Sequence, residues 1–127
     1  MRLLLDTHTL LWLLADDKRL SKAASLAIEN PVNDCSVSMA SIFEISIKFS
    51  VGKLTLGYPF ASMCEALASQ RVAMLPIAFE HVLRLSTLPL HHRDPFDRML
   101  VAQALEDGYV LVSNNSQLDA YGVKRLW

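Results

Sequence analysis

"DPFDRMLVAQALEDGYVLVS" (residues 94–113) holds a helix and a strand joined at a single glycine. Asp94 is a favoured N-cap, and Pro95 suits the first helical position, where its missing N–H is not needed. Gly108 fits the residue just past a helix end. The spacing predicts a helix over 94–108. "YVLVS" (109–113) follows at once, apolar without alternation, which is the pattern of a strand covered on both faces. A buried strand reached directly from a helix is the mark of an α/β arrangement.

The same pairing recurs upstream. Arg2 to Leu5 reads as a short buried strand, and Thr7 to Ala15 as a helix that Asp16-Asp17 ends. Ser21 can cap a second helix reaching about Asn30, where Pro31 stops it. "DCSVS" (34–38) is a second strand. A strongly apolar helix runs from Ser38 to about Val51, closed by Gly52. A helix near 60–69, the strand candidate "RVAMLPI" (71–77) and an amphipathic helix over 78–87 come next. "VKRLW" (123–127) gives a short last strand. Alternating strands and helices predict one α/β domain over residues 1–127, with a mainly parallel central sheet flanked by helices on both faces.

Lys and Arg number 12 against 13 Asp and Glu, so no general attraction to nucleic acid or membranes is expected, and any polyanion contact must come from a local patch. Cys35 and Cys64 form no C-x-x-C, which favours a reduced, cytoplasmic chain over a disulfide scaffold. Arg2 and the leucines after it imitate a secretory signal, but Asp6-Thr7-His8-Thr9 interrupts the apolar stretch. No segment reaches the length of a membrane span.

Carboxylates are almost never buried unless paired or bound to a metal, which makes Asp6, Glu44 and Asp97 the residues of interest. Asp6 ends the first strand, where ligands of open α/β sheets bind, yet it is equally a fit N-cap for the helix at Thr7. Asp97 lies in the middle of the apolar face made by Leu100, Val101 and Ala104, although its place in the first turn also suits the helix dipole. Glu44 lies on a helix apolar on most sides, which predicts burial. It also fits a capping box with Ser41 and an i,i+4 pair with Lys48. Three carboxylates in one crevice would repel unless a cation neutralised them. Oxygen ligands alone suit Mg²⁺ or Mn²⁺, and such an ion would support phosphodiester hydrolysis.

Other motifs lead nowhere. His92-Arg93-Asp94 echoes a kinase catalytic loop, but Met99 stands where Asn is needed. Gly52-Lys53 lacks the Walker spacing. His8, His81, His91 and His92 have no zinc-like spacing and read as structural or solvated. Asp6-Thr7-His8-Thr9 is similar to the nucleophile loop of haloacid-dehalogenase phosphatases, except that His8 replaces their second Asp.

Four ordered segments carry a fuller likeness: "LLLDTHTLLWLL" (3–14), "SIFEISIKFSVGKLTL" (41–56), "LPLHHRDPFDRMLVAQA" (88–104) and "VLVSNNSQLDAYGV" (110–123). Together they resemble the PIN-domain ribonucleases, and among them the VapC-type toxins of bacterial toxin–antitoxin pairs. The resemblance implies that Asp6, Glu44 and Asp97 are the catalytic, metal-binding acids, with Asp94 as a cap. It implies Mg²⁺- or Mn²⁺-dependent cleavage of RNA, a homodimer, and inhibition by a cognate VapB-type antitoxin. The resemblance also offers Thr7 and Ser113 as candidate site-lining hydroxyls. Asn115 stands where the family often has a fourth acid, and its amide can lend a cation an oxygen but no charge. Lys48, Lys53, Arg93 and Arg98, close in sequence to the acids, are the expected RNA contacts. The alternative is a PIN-fold binding module with a weakened acidic site.

Overall fold

Strand β1 (Arg2–Leu5) occupies the centre of the sheet because its three leucines have no polar face to offer water. Leu3, Leu4 and Leu5 are all fully buried. The computed structural model describes residues 1–127. Its five strands lie in the order β3-β2-β1-β4-β5, every neighbouring pair parallel. The others are β2 (Asp34–Ser38), β3 (Val72–Leu75), β4 (Val110–Val112) and β5 (Arg125–Leu126). Leu5 pairs in register with Val37 on one side and with Val112 on the other.

Alternation along β1 divides the core in two. Leu3 and Leu5 join Leu10, Val37, Ile45 and Val112 on one face. Leu4 turns to the other face and packs with Leu100, Val101, Ala104 and Leu111. The first face is covered by α1 (Thr7–Leu14), α2 (Lys22–Glu29), α3 (Met39–Ser50) and α4 (Met63–Ser69). The second is covered by α6 (Pro95–Asp107) and by a 3-10 turn over Ser116–Tyr121, with α5 (Phe79–Thr87) packed on α6. Both sheet faces carry helices, as expected.

Local chemistry sets the ends. Asp94 accepts the N–H groups of Phe96 at 2.8 Å and Asp97 at 3.2 Å, and Gly108 closes α6 at φ +76°. His81 ties α5 to α6. Its Nδ1 accepts the Ala78 N–H at 2.9 Å, so Nε2 keeps the proton and faces Asp107 Oδ2 at 2.7 Å.

Three expectations need correction. The strand expected over 71–77 covers only Val72–Leu75, because Arg71 takes a left-handed φ of +56° and Pro76 has no N–H to give. The capping box at Ser41 does not form. Ser38 caps α3 instead, its hydroxyl accepting the Ala40 N–H at 3.0 Å, which leaves Ser41 buried inside the first turn. Nor is α3 buried all round: Met39, Phe43, Ile47 and Val51 form an exposed apolar stripe at helical spacing.

Gly108 and Gly57 offer a paired test. A Cβ at either position meets nothing within 4 Å, but only Gly108 has positive φ. Gly108→Ala should therefore cost about 1–2 kcal/mol from left-handed strain alone. Gly57→Ala should change stability little. Urea denaturation of both variants measures the difference.

Candidate active site

The carboxyl ends of β1 and β4 meet where the chain order reverses, the usual ligand crevice of an open parallel sheet. Asp6 follows β1 directly. Its N–H donates to Val112 O at 3.0 Å, which fixes its backbone to the end of β4. Its Oδ1 accepts the Thr9 N–H at 2.8 Å, so Asp6 does cap α1. The carboxylate is 5% exposed, and Oδ2 has no protein donor, so capping leaves half of the group for another partner.

Glu44 is brought to the same end by α3, and it is 6% exposed. Thr7, the residue after Asp6, places its hydroxyl 2.7 Å from Glu44 Oε1 and 3.0 Å from Ser41 Oγ. The expected i,i+4 pair also forms, with Lys48 Nζ 2.7 Å from Glu44 Oε2. An ammonium group therefore already supplies positive charge to this carboxylate.

Asp97 projects from the first turn of α6. Its Oδ2 lies 3.0 Å from His92 Nε2. Burial pushes the Asp97 carboxyl above its ordinary range, and Asp94 and Asp6 push the same way, while the His92 hydrogen bond pulls it down. The influence of Asp6 places the two acids within electrostatic reach of each other. No set of three His, Cys, Asp or Glu side chains closes round a common point. Asp6, Glu44 and Asp97 share one end of the sheet, each held by its own protein donor. Sequence reasoning missed His92, which stands two residues before the Asp94 cap, where a side chain can turn back onto the first turn. Tyr121, from the far side of the second core, steadies that loop by accepting the N–H groups of His91 at 3.1 Å and His92 at 3.0 Å.

The PIN domain pattern matches residues 3–124 of this chain. The chain belongs to the PIN-domain family. It is 34% identical over 121 residues to Ribonuclease VapC22 of Mycobacterium tuberculosis, covering 93% of this chain and 90% of that protein. Its fold is similar to VapBC-1 from nontypeable Haemophilus influenzae, with a TM-score of 0.68, 18% identity and coverage of 98% and 96% of the two chains. It is also similar to VapBC2 from Rickettsia felis bound to a promoter DNA fragment, with a TM-score of 0.66, 14% identity and coverage of 98% and 97%. At those identities the structural likeness concerns the fold alone.

The chemistry of these side chains suits a hard divalent ion, since all three offer oxygen and Asp97 is pushed up by burial and by its acidic neighbours, although Glu44 already has Lys48 as a cation. Asn115 is less committed to the site. Its Oδ1 caps the 3-10 turn through the Gln117 N–H at 3.1 Å, and its own N–H donates to the buried Ser113 hydroxyl at 3.1 Å. Asp119 does not replace the fourth acid, since Arg125 engages it at 2.8 Å and holds its carboxyl below the ordinary range. Among the basic residues, Arg93 and Lys53 are exposed. Arg98 turns to the preceding loop and donates to Leu88 O at 3.1 Å.

The raised Asp97 predicts a pH effect. With its folded pKa above the unfolded value, ionisation opposes folding, so this contribution to stability falls as pH rises through the folded pKa. Asp97→Asn keeps an oxygen for His92 and removes the charge. It should raise the melting temperature of ion-free protein at pH 7. The gain should vanish below the ordinary aspartate value of 3.8, where the wild-type group is protonated as well. Thermal melts across this range measure it.

Proposed function

We propose that this protein is a VapC-type toxin: a Mg²⁺- or Mn²⁺-dependent endoribonuclease, acting inside the cell and restrained by a VapB-type antitoxin. The observation that carries the reading is the gathering of buried Asp6 and Glu44 with the destabilised Asp97 at the end of a PIN-domain sheet. The similarity to a protein named as a ribonuclease supports it, and structural likeness to VapBC complexes supports the fold. No helix of the chain is long and apolar enough to cross a membrane.

Asp6, Glu44 and Asp97 would hold the ion. Bound there, it would acidify an attacking water and neutralise charge on the leaving oxygen. The chain's own residues pre-position the acids. Thr9 stops the Asp6 carboxylate from rotating, Thr7 and Lys48 fix the two oxygens of Glu44, and His92 fixes one oxygen of Asp97. The exposed Lys53 and Arg93 offer positive charge to the RNA backbone, and Lys48 adds its own only if it leaves Glu44. Arg98 does so only if it leaves Leu88. The exposed stripe of Met39, Phe43, Ile47 and Val51 on α3 supports a homodimer, since a second copy would cover it.

Purified protein should cut RNA with Mg²⁺ or Mn²⁺ and stop when the ion is chelated. Asp6→Asn and Asp97→Asn should each lower the rate by about a hundredfold or more, as expected when charge stabilisation of a transition state is lost. Gel assays measure this. RNA binding without cleavage under either ion would favour the binding-module reading instead.

Asn115 gives a gain-of-function test. A carboxylate ~4 Å from a divalent ion gains about 8 kcal/mol gross at an effective dielectric of ~20, which desolvation reduces to a few. Asn115→Asp keeps an oxygen for the Gln117 N–H and adds the charge. It should tighten Mn²⁺ binding, measured by calorimetry, and speed cleavage, while Asn114→Asp should do much less. No change in either variant would place residue 115 outside the ion's coordination shell.

A further inference from the structure

A cleft of about 610 Å³ opens beside the acids. It begins at Thr7 and Lys48, the two residues whose side chains hold the oxygens of Glu44, and runs along α1 to the loop over residues 53–58. One wall is aromatic. His8, one residue beyond Thr7, is exposed, and its ring stacks on Trp12 with centroids 5.7 Å apart and planes 28° apart. The Arg19 guanidinium lies 5.2 Å from the Trp12 ring centroid and is anchored by Asp17 at 2.7 Å. Leu54, Leu56 and Tyr58 line the opposite side and pack on the first core, which makes the wall rigid.

The charges decide what such a cleft can take. Asp17 is paired with Arg19 and Lys48 with Glu44, which leaves Lys53 as the cleft cation without an acidic partner. An exposed flat ring, a free ammonium group and a cleft that starts at the two side chains holding Glu44 match one chemistry. Unpaired nucleobases stack on aromatic faces, and their phosphates seek cations. We propose that this cleft is a base-stacking subsite of the enzyme. An unpaired base of the RNA, adjoining the phosphate to be cut, stacks on the His8–Trp12 wall, and its own phosphate meets Lys53. His8 thereby favours strongly stacking bases beside the cut. This rests on the ribonuclease reading above.

The test uses short, uncleavable 2′-O-methyl oligoribonucleotides in ion-free buffer, followed by tryptophan fluorescence. The chain's two tryptophans, Trp12 and Trp127, lie 5.7 Å apart, so quenching reports on this wall. Wild type should be quenched on binding. His8→Ala should bind about tenfold more weakly, the loss of one stacked base, and His8→Phe should restore most of the affinity. An oligonucleotide carrying an abasic site at the stacked position should bind wild type and His8→Ala alike. In cleavage assays with Mn²⁺, His8→Ala should raise KM more than it lowers kcat and should flatten the preference for flanking nucleotides. Unchanged binding and preference in His8→Ala, with RNA still cut, would overturn the subsite and leave the ribonuclease reading intact. A defect confined to binding of the antitoxin would assign the cleft to a protein partner and overturn it too. Wild type that cuts no RNA with either ion would remove both.

Discussion

The carbonyl oxygen of Val112 holds the centre of the molecule together. It receives the Asp6 N–H at 3.0 Å and the Thr9 hydroxyl at 2.9 Å, which uses both of its lone pairs. The Thr9 N–H in turn holds Asp6 Oδ1. Strand β4, the end of β1 and the first turn of α1 are thus one hydrogen-bonded unit. Thr9 and Val112 are fully buried, so no water can replace these bonds, and leaving any of them unmade would cost a full desolvation penalty. The orientation of the Asp6 carboxylate follows from this knot. Capping engages only Oδ1, so Oδ2 is left for the ligand role proposed above.

Around that fixed point one acid, Asp97, is under electrostatic strain that the fold tolerates. Lys48 relieves Glu44 and His92 partly relieves Asp97, yet burial and two neighbouring aspartates keep the Asp97 carboxyl above its ordinary range. A protein selected only for stability would replace such a group with an apolar one, as the rest of that helix face does with Leu100, Val101 and Ala104. Local violations of folding logic concentrate where function needs them. The strain supports the role proposed for Asp97, whereas the Asp94 oxygen is engaged by two backbone N–H groups as a cap.

What the sequence disclosed was whatever depends on near neighbours along the chain. The caps at Ser21 and Asp94, the glycine after α6 and the runs of buried strand residues act within a few positions, and the elements appear where they predict. The ambiguous cases involved distant partners. Ser38 and Ser41 are both good caps on paper, and only the contact of Ser41 with Thr7, 34 residues away, shows which is occupied elsewhere. An apolar circumference on α3 could not say which side the sheet would take. His92 gives no sign of its role until α6 is folded, and Arg98 gives none of its bond to Leu88. The acids themselves were legible because a carboxylate in an apolar setting is expensive wherever its partners come from. Their mutual distances were not.

Helix α1 shows how one short element can separate fold, chemistry and recognition. Thr9 and Leu10 face the interior and are fully buried. Thr7 turns to Glu44, next to the Asp6 cap. His8 and Trp12, four positions apart, lie one above the other and face the cleft. Thr7 borders both the cleft and Glu44, but at 100° per residue His8 points away from Thr9 and Leu10, so a change at His8 need not disturb the Val112 knot or the hold on Glu44. The core side of α1 is tied to the parallel sheet and the acid side to the chemistry. The His8 side carries the proposed stacking subsite, and it can change while both of the others stay fixed.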